Sequence, residues 1–309
     1  MTLSATLLRG KPVQEAILEE VRSGLAELTG AGHRPPKLAA VLVGDDPASA
    51  IYVRTKTRKC EELGLDSDAV MLPESTPTEE LLERVDALNA DAGVDGILVQ
   101  LPLPGTIDTE AVLDRIDPRK DVDGLHPENV GLLVQNRPRF VPATPAGIMQ
   151  MLDRAGIVIQ GQNAVIIGRS EIVGKPMASL LMHRHATITV CHSRTRDLAA
   201  VCRGADILVV AVGRDAMVTD EFVKPGATVI DVGINRVAER DRVEEIFGAD
   251  ADWEKFDDRG YLVVGDVHPG VAEVAGAMTP VPGGVGPLTI GMLMANTLHA
   301  ARLRAGTAG

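Results

Sequence analysis

The chain has 309 residues, 45% of them hydrophobic and only 2% aromatic, with a formal charge of −12. At roughly 150 residues per domain this length points to two domains, whose cores must be built from Ala, Val, Leu and Ile, a composition suited to α/β layers. The acidic balance argues against a nucleic-acid partner held through its phosphates, and no apolar run approaches the ~20 residues of a membrane span.

The first residues lack the uninterrupted apolar core of a signal peptide. Cys60, Cys191 and Cys202 cannot all pair with one another and none is spaced for a metal, so a reducing, cytoplasmic setting is expected. Val13, Ile17, Val21, Leu25 and Leu28 recur at helical spacing and predict a helix over 11–28, stopped by Gly30 and Gly32. A strand over 37–43 ends at Gly44, and Ser49 is placed to cap the next helix, which carries Tyr52, Lys56 and Lys59 and ends at Gly64. A short strand over 69–72, a helix over 79–89 and a buried strand over 96–100 follow, the last halting at Leu101-Pro102-Leu103-Pro104.

Strands alternating with helices imply right-handed crossovers and a mainly parallel sheet, and ligands of such sheets collect at the carboxyl ends of the strands. Residues 44–49 and 100–104 lie at two such ends, so Tyr52, Lys56 and Gln100 can face one crevice. Tyr52 and Lys56, four apart, share a helical face, although a packed tyrosine beside a salt-bridged surface lysine is the commoner meaning of that pair. Residues 120–127 read as a polar loop. In it Asp121 and Asp123 lack a third ligand, so no metal is expected, and His126 reads as a loop brace rather than a base.

Residues 142–147 form a hinge into a helix over 148–155, with Thr144 as cap and Pro145 at the first helical position. The domain change is placed here. Strands over 164–167, 187–191, 207–212 and 228–232 follow. The first runs into Gly168-Arg169-Ser170-Glu171-Ile172-Val173-Gly174, a loose dinucleotide-binding turn with Ser170 where a second glycine is usual. N–H groups at the start of the next helix are expected to receive a pyrophosphate; a plain strand-turn-helix connection is the alternative. Beyond Cys191 no carboxylate is placed to hold a ribose 2′-hydroxyl. Ser193, Arg194 and Arg196, with Arg169, supply donors and positive charge, which favours NADP over NAD. Cys191 and His192 point to opposite faces of their strand, against a nucleophilic pair. Residues 237–260 are strongly charged and read as an exposed excursion, with Trp253 and Phe256 packing it down. Gly283-Gly284 between prolines makes a shaped loop with close backbone approach, ahead of an apolar helix over 288–303.

Five stretches in order give the chain a wider likeness: Tyr52-Val53-Arg54-Thr55-Lys56; Val94-Asp95-Gly96-Ile97-Leu98-Val99-Gln100-Leu101-Pro102-Leu103-Pro104; Lys120-Asp121-Val122-Asp123-Gly124-Leu125-His126-Pro127; Gly168-Arg169-Ser170 with Val173-Gly174-Lys175-Pro176; and Pro282-Gly283-Gly284-Val285-Gly286-Pro287. Over nearly its whole length it resembles the bifunctional methylenetetrahydrofolate dehydrogenase and methenyltetrahydrofolate cyclohydrolase family. It departs at Leu288, where the family usually has Met or Phe, and in the length of the charged stretch 237–260.

The resemblance implies an α/β fold of two domains: a catalytic, folate-binding domain of 1–143 and 286–309, whose last helix returns to it, and a Rossmann-type NADP-binding domain of 144–285, with a cleft between them. It implies NADP-dependent oxidation of 5,10-methylenetetrahydrofolate and hydrolysis of the methenyl product to 10-formyltetrahydrofolate, steps of one-carbon metabolism that serve purine biosynthesis. Lys56 would be the central acid/base, with Tyr52 stacking near the pterin and orienting it, Gln100 hydrogen-bonding the lysine or the reacting centre, and Asp123 holding the amino-pyrimidine edge. Pro102, Pro282, Gly283 and Gly284 would border the substrate. Gly168, Arg169 and Ser170 would lie on the pyrophosphate and 2′-phosphate side, Ser193 beside that phosphate and Ile234 against the nicotinamide end. The family likeness also implies a homodimer. The alternatives are a two-domain NADP dehydrogenase of the shikimate type and an NADP-responsive binding module.

Overall fold

Residues 5–307 are described by a computed structural model. Chain order begins β1 (Thr6–Leu7), α1 (Gly10–Gly30), β2 (Lys37–Val43), α2 (Pro47–Leu63), β3 (Asp66–Leu72), α3 (Thr78–Ala90), β4 (Gly96–Val99), α4 (Thr109–Arg115) and α5 (Pro127–Val134). It continues α6 (Ala143–Arg154), β5 (Asn163–Ile167), α7 (Gly174–His183), β6 (Thr187–Cys191), α8 (Leu198–Cys202), β7 (Ile207–Val210), β8 (Thr228–Asp231) and β9 (Asn235–Val237). It ends α9 (Arg240–Phe247), α10 (Trp253–Arg259), β10 (Leu262–Val264), β11 (Ala277–Met278) and α11 (Gly286–Ala305). Two compact units result: Gln14–Ala143 with the chain from Ile290 on, and Thr144–Thr289 with the N-terminal residues through Val13.

In the first unit three parallel strands run in the order β3-β2-β4. The central strand is an unbroken apolar run because both its faces are covered. Leu38, Ala40 and Leu42 join α1, α2 and α11 through Val21, Leu25, Val53, Cys60, Leu293 and Leu298. Ala39, Val41 and Val43 face the other way, onto Leu81, Val85 and Val112. The last helix thus packs in this core. β3 begins three residues before the predicted strand, since Asp66 and Asp68 alternate outward on an edge strand and hide the pattern, and Lys37 pairs with Asp68. Asp46, not Ser49, caps α2: its carboxylate accepts from Ser49 N at 2.7 Å, while Ser49 itself is buried. α4 and α5, too short for a periodic signal, were not predicted.

The second unit holds a six-stranded sheet in the order β1-β11-β8-β7-β5-β6, all of whose pairs are parallel. Its edge strand β1 corrects the expected assignment of 1–143: Thr6 pairs with Ala277 and Leu7 with Met278. A two-residue strand held by a distant partner has no local signature. The later expected boundary, 285/286, also moves, to Thr289/Ile290. Leu288 is fully buried against Gly147 of α6, and the Thr144 and Thr289 hydroxyls meet at 2.8 Å. α6 starts at Ala143, earlier than predicted, and Thr144 lies inside it.

The charged stretch is more than an excursion. β9 and β10 form an antiparallel pair, and Val237, Val243, Ile246, Leu262 and Val264 make a small core of their own, with Phe247, Trp253 and Phe256 against it. The Arg240 guanidinium lies 4.2 Å from the Trp253 ring centroid, a cation–π contact. Among the described residues, no helix is long and apolar enough to cross a membrane.

Candidate functional site

In each sheet the strand order reverses at one place: between β2 and β4 in the first unit, and between β5 and β7 in the second. Loops diverge there at the carboxyl ends of the strands and leave a crevice for ligands.

In the first unit, α2 carries Tyr52 and Lys56 one turn apart beside the end of β2, and Gln100 follows β4. Gln100 N donates to Val41 O, which extends the ladder by one residue. Its side-chain amide donates to Leu101 O at 2.6 Å, so the side-chain oxygen is left to accept from Lys56 Nζ at 3.0 Å. Lys56 is only 8% exposed. Burial holds its ammonium below the ordinary lysine value, with the charge of Asp123 working in the opposite sense. For Asp123, burial pushes the carboxyl up to about 6, Lys56 pulls it down and Asp121 pushes it further up. The structure therefore brings Lys56, Gln100 and Asp123 into one electrostatic group. Tyr52 is 45% exposed on the same helix face, and Pro102 is exposed just beyond Gln100.

The neighbours of Asp123 in its loop are scaffold. Asp121 Oδ2 accepts from His126 N and from Asn129 Nδ2, both at 2.8 Å. Lys120 Nζ donates to Leu88 O, Asn89 O and Asp91 O at the end of α3, where a cation suits the helix dipole. His126 Nδ1 accepts from Glu128 N and caps α5, a bracing role.

In the second unit, β5 is followed by Gly168, whose φ of +120° and near contact with Ala211 O admit no side chain: a Cβ there would stand 2.2 Å from that oxygen. Arg169 and Ser170 are exposed in the following turn, and Ser193 and Arg194 are exposed at the turn after β6. His192 and Thr195 build that second turn: Arg194 N donates to His192 Nδ1 and His192 N to Thr195 Oγ1. The nearest carboxylate in the loop, Asp197, caps α8 by accepting from Ala200 N. Cys191 is buried, and burial raises its thiol pKa, which leaves it inert as a nucleophile.

One expectation fails here. The N–H groups opening α7 are not left for a pyrophosphate: Ser170 Oγ accepts from Val173 N and Gly174 N, and Ser170 O accepts from Lys175 N. A serine in place of the second glycine acts as an internal acceptor.

Ile234 follows β8 and is 53% exposed. Gly283 and Gly284 lie in this unit; Gly283 O accepts from Gly10 N at 2.8 Å, and Gly284 packs against Thr279 and Pro280. A turn that seats the start of α1 accounts for that pair. Two residues were missed at the sequence level. Asp266, fully buried, accepts from Val212 N, Gly213 N, Arg214 N and Asn235 Nδ2. Asp231 accepts from Gly233 N, Asp266 N and Val267 N, and burial pushes it to about 7 despite those amides. The only trace of them in the sequence is a glycine beside an aspartate near a strand end.

Residues 8–123 match the family model for the tetrahydrofolate dehydrogenase/cyclohydrolase catalytic domain, and residues 142–305 match that for its NAD(P)-binding domain. The chain is 57% identical over 302 residues to the bifunctional protein FolD of Solibacter usitatus (97% of this chain, 98% of that protein) and 50% identical over 301 residues to that of Moorella thermoacetica (97% and 100%). Among solved structures it is similar to the bifunctional FolD of Campylobacter jejuni (42% identity, TM-score 0.88, covering 97% of this chain and 99% of that one). It is also similar to the Trypanosoma brucei methylenetetrahydrofolate dehydrogenase-cyclohydrolase complexed with NADP cofactor and inhibitor (38%, TM-score 0.87, 97% and 98%). With both domain models matched in order and curated relatives above half identity along nearly the full length, the chain belongs to the tetrahydrofolate dehydrogenase/cyclohydrolase family.

Proposed function

We propose that this protein oxidises 5,10-methylenetetrahydrofolate to the 5,10-methenyl compound with NADP and hydrolyses that product to 10-formyltetrahydrofolate. The observation that carries the reading is the buried ammonium of Lys56, accepted at 3.0 Å by a neutral amide and held below the usual lysine range. Such a group gives up its proton more readily than an exposed lysine and can serve in proton transfer in either direction.

NADP fits the residues of the second unit. Gly168 leaves the backbone bare where a side chain would clash. Arg169, Arg194 and Arg196 form no ion pair among the described residues and, with Ser193, suit a 2′-phosphate. Ser170 shapes the turn that presents Arg169, and Ile234 offers an exposed apolar surface for the nicotinamide end. When bound, NADP supplies a hydride acceptor.

Loss of hydride from the methylene bridge leaves a cation shared by two flanking nitrogens, so the oxidation asks the protein for positioning rather than for a base. Asp123 and Tyr52 provide it, the first toward the amino-pyrimidine edge and the second by stacking, with Pro102 exposed beside them. In the hydrolysis, water adds to the methenyl carbon and its proton passes to the free amine of Lys56. The resulting ammonium returns that proton to the departing ring nitrogen as the carbon–nitrogen bond breaks, while the hydroxyl of the water adduct releases its own proton to solvent and becomes the formyl carbonyl. Gln100 holds the lysine for both transfers.

A cytoplasmic setting fits three buried, free cysteines. A homodimer is the assembly that family likeness supports, and a monomeric mass by light scattering would reject it. Mixing the protein with methylenetetrahydrofolate and NADP should generate NADPH absorbance, and methenyltetrahydrofolate should decay on its own addition. Lys56→Met should slow that decay ~10²–10⁴-fold, the usual worth of an acid/base group, while folate binding persists. Undiminished hydrolysis by the variant rejects the role.

A further inference from the structure

Asp123 stands in a short turn closed by Gly124 N donating to Asp121 O. The carbonyl of Val122 belongs to the same peptide unit as Asp123 N, so whatever fixes that oxygen fixes the plane leading into Asp123. The side chain that does so comes from the other end of the chain. Asn296 on α11 is 8% exposed, and its Nδ2 donates to Val122 O at 2.8 Å and to Val141 O at 3.0 Å. Both partners are carbonyls, so only the NH₂ end can face them and the orientation of the amide is determined.

A polar amide is a poor choice on a helix face packed among Leu293, Met294 and Leu298. Its use here is to tie two stretches that flank the Asp123 turn to one rigid rod. Val122 itself is fully buried and cannot shift without disturbing the core. Neighbouring Thr297 bonds back to Leu293 O in its own helix and contributes nothing to the turn.

We propose that Asn296 is a positioning residue for Asp123, and through it for the pterin of both folate substrates. The inference rests on the role given to Asp123 above, and Asp123→Ala tests that role separately.

The experiment measures KM and kcat of wild type, N296L, D123A and the double variant in both reactions. Leu298→Ala serves as a control that loosens the same helix without touching the turn. N296L should raise KM about tenfold for both folate substrates and leave kcat and the KM for NADP within twofold, because only substrate grip is lost. In the D123A background the same change should add less than twofold, since the two residues act as one unit. L298A should leave the folate KM unchanged at a temperature where it is folded. If N296L does not yield folded protein, N296S, which retains one short donor, should show a smaller rise in folate KM with the same dependence on Asp123. An unchanged folate KM, an equal rise in the D123A background, or an equal loss of NADP affinity overturns the proposal. Failure of D123A itself to raise the folate KM overturns the role of Asp123 instead.

Discussion

Asp123→Asn should stabilise the fold at alkaline pH while weakening folate binding. The folded carboxyl sits at about 6 against an ordinary 3.8, a shift of just over two units, equivalent to about 3 kcal/mol at 1.36 kcal/mol per unit. Because the folded carboxyl holds its proton more tightly than the unfolded one, the native state is favoured at low pH. It loses that advantage as pH rises from about 4 through 6. Above that window the wild type carries an ionised group where burial disfavours it. Asparagine removes the cost, and the attraction of Lys56 is already contained in the shifted value, so the net gain at pH 8 should be ~2–3 kcal/mol. The assay is urea unfolding of both proteins at pH 4.5 and pH 8. The difference between them should be larger at pH 8 by ~1 kcal/mol or more, and the folate KM of the variant should rise at least ~10-fold, the loss of a charge-assisted contact. A difference that is constant with pH, or that favours the wild type more strongly at pH 8, would refute the argument that a destabilising carboxylate is retained for its use.

Arg169→Ala should weaken NADP ~10–100-fold, the worth of a charged hydrogen bond, and NAD less than ~3-fold, as read by quenching of the intrinsic fluorescence or by calorimetry; equal losses for the two cofactors count against a 2′-phosphate contact. Gly168→Ala should cost several kcal/mol, on the order of 3 or more, because the added methyl would meet Ala211 O and the backbone holds a positive φ. Urea unfolding reads that loss, and a variant as stable as wild type would show that the turn can relax.

What could be read in advance was whatever repeats locally. β2, β5, β7 and β8 are apolar runs bounded by glycine or polar residues, and Tyr52 and Lys56 share a helix face by spacing alone. What could not be read depends on partners far away. β1 exists only because Thr6 and Leu7 lie beside Ala277 and Met278. The small core of 237–264 was concealed because Val243, Ile246, Leu262 and Val264 are spread through a charged stretch and converge only when β9 meets β10. The turn after β5 was legible as a site, but not in its detail: a serine substituted for a glycine looks tolerant on paper, yet it consumes N–H groups that the motif would otherwise offer. Asn296, inside a helix that reads simply as apolar, had no signal at all.

Three of the loop carboxylates share a physical task. Loops at the carboxyl ends of parallel strands leave amide N–H groups without a ladder, and each such group buried unpaired costs roughly 1–3 kcal/mol. Asp121, Asp231 and Asp266 accept from these amides with no arginine or lysine in hydrogen-bonding contact. At the other end of the first sheet the opposite solution appears: Asp95 is clasped by Arg34 and Arg304. The distinction has a consequence for an acidic chain with 43 carboxylates against 31 cationic side chains. Where carboxylates are committed to backbone amides, they do not recruit nearby cations. Arg169, Arg194 and Arg196, at the ends of β5 and β6, form no ion pairs among the described residues. Exposed cations without a carboxylate partner are the local positive charge that an anion would meet on a chain whose net charge would otherwise repel it.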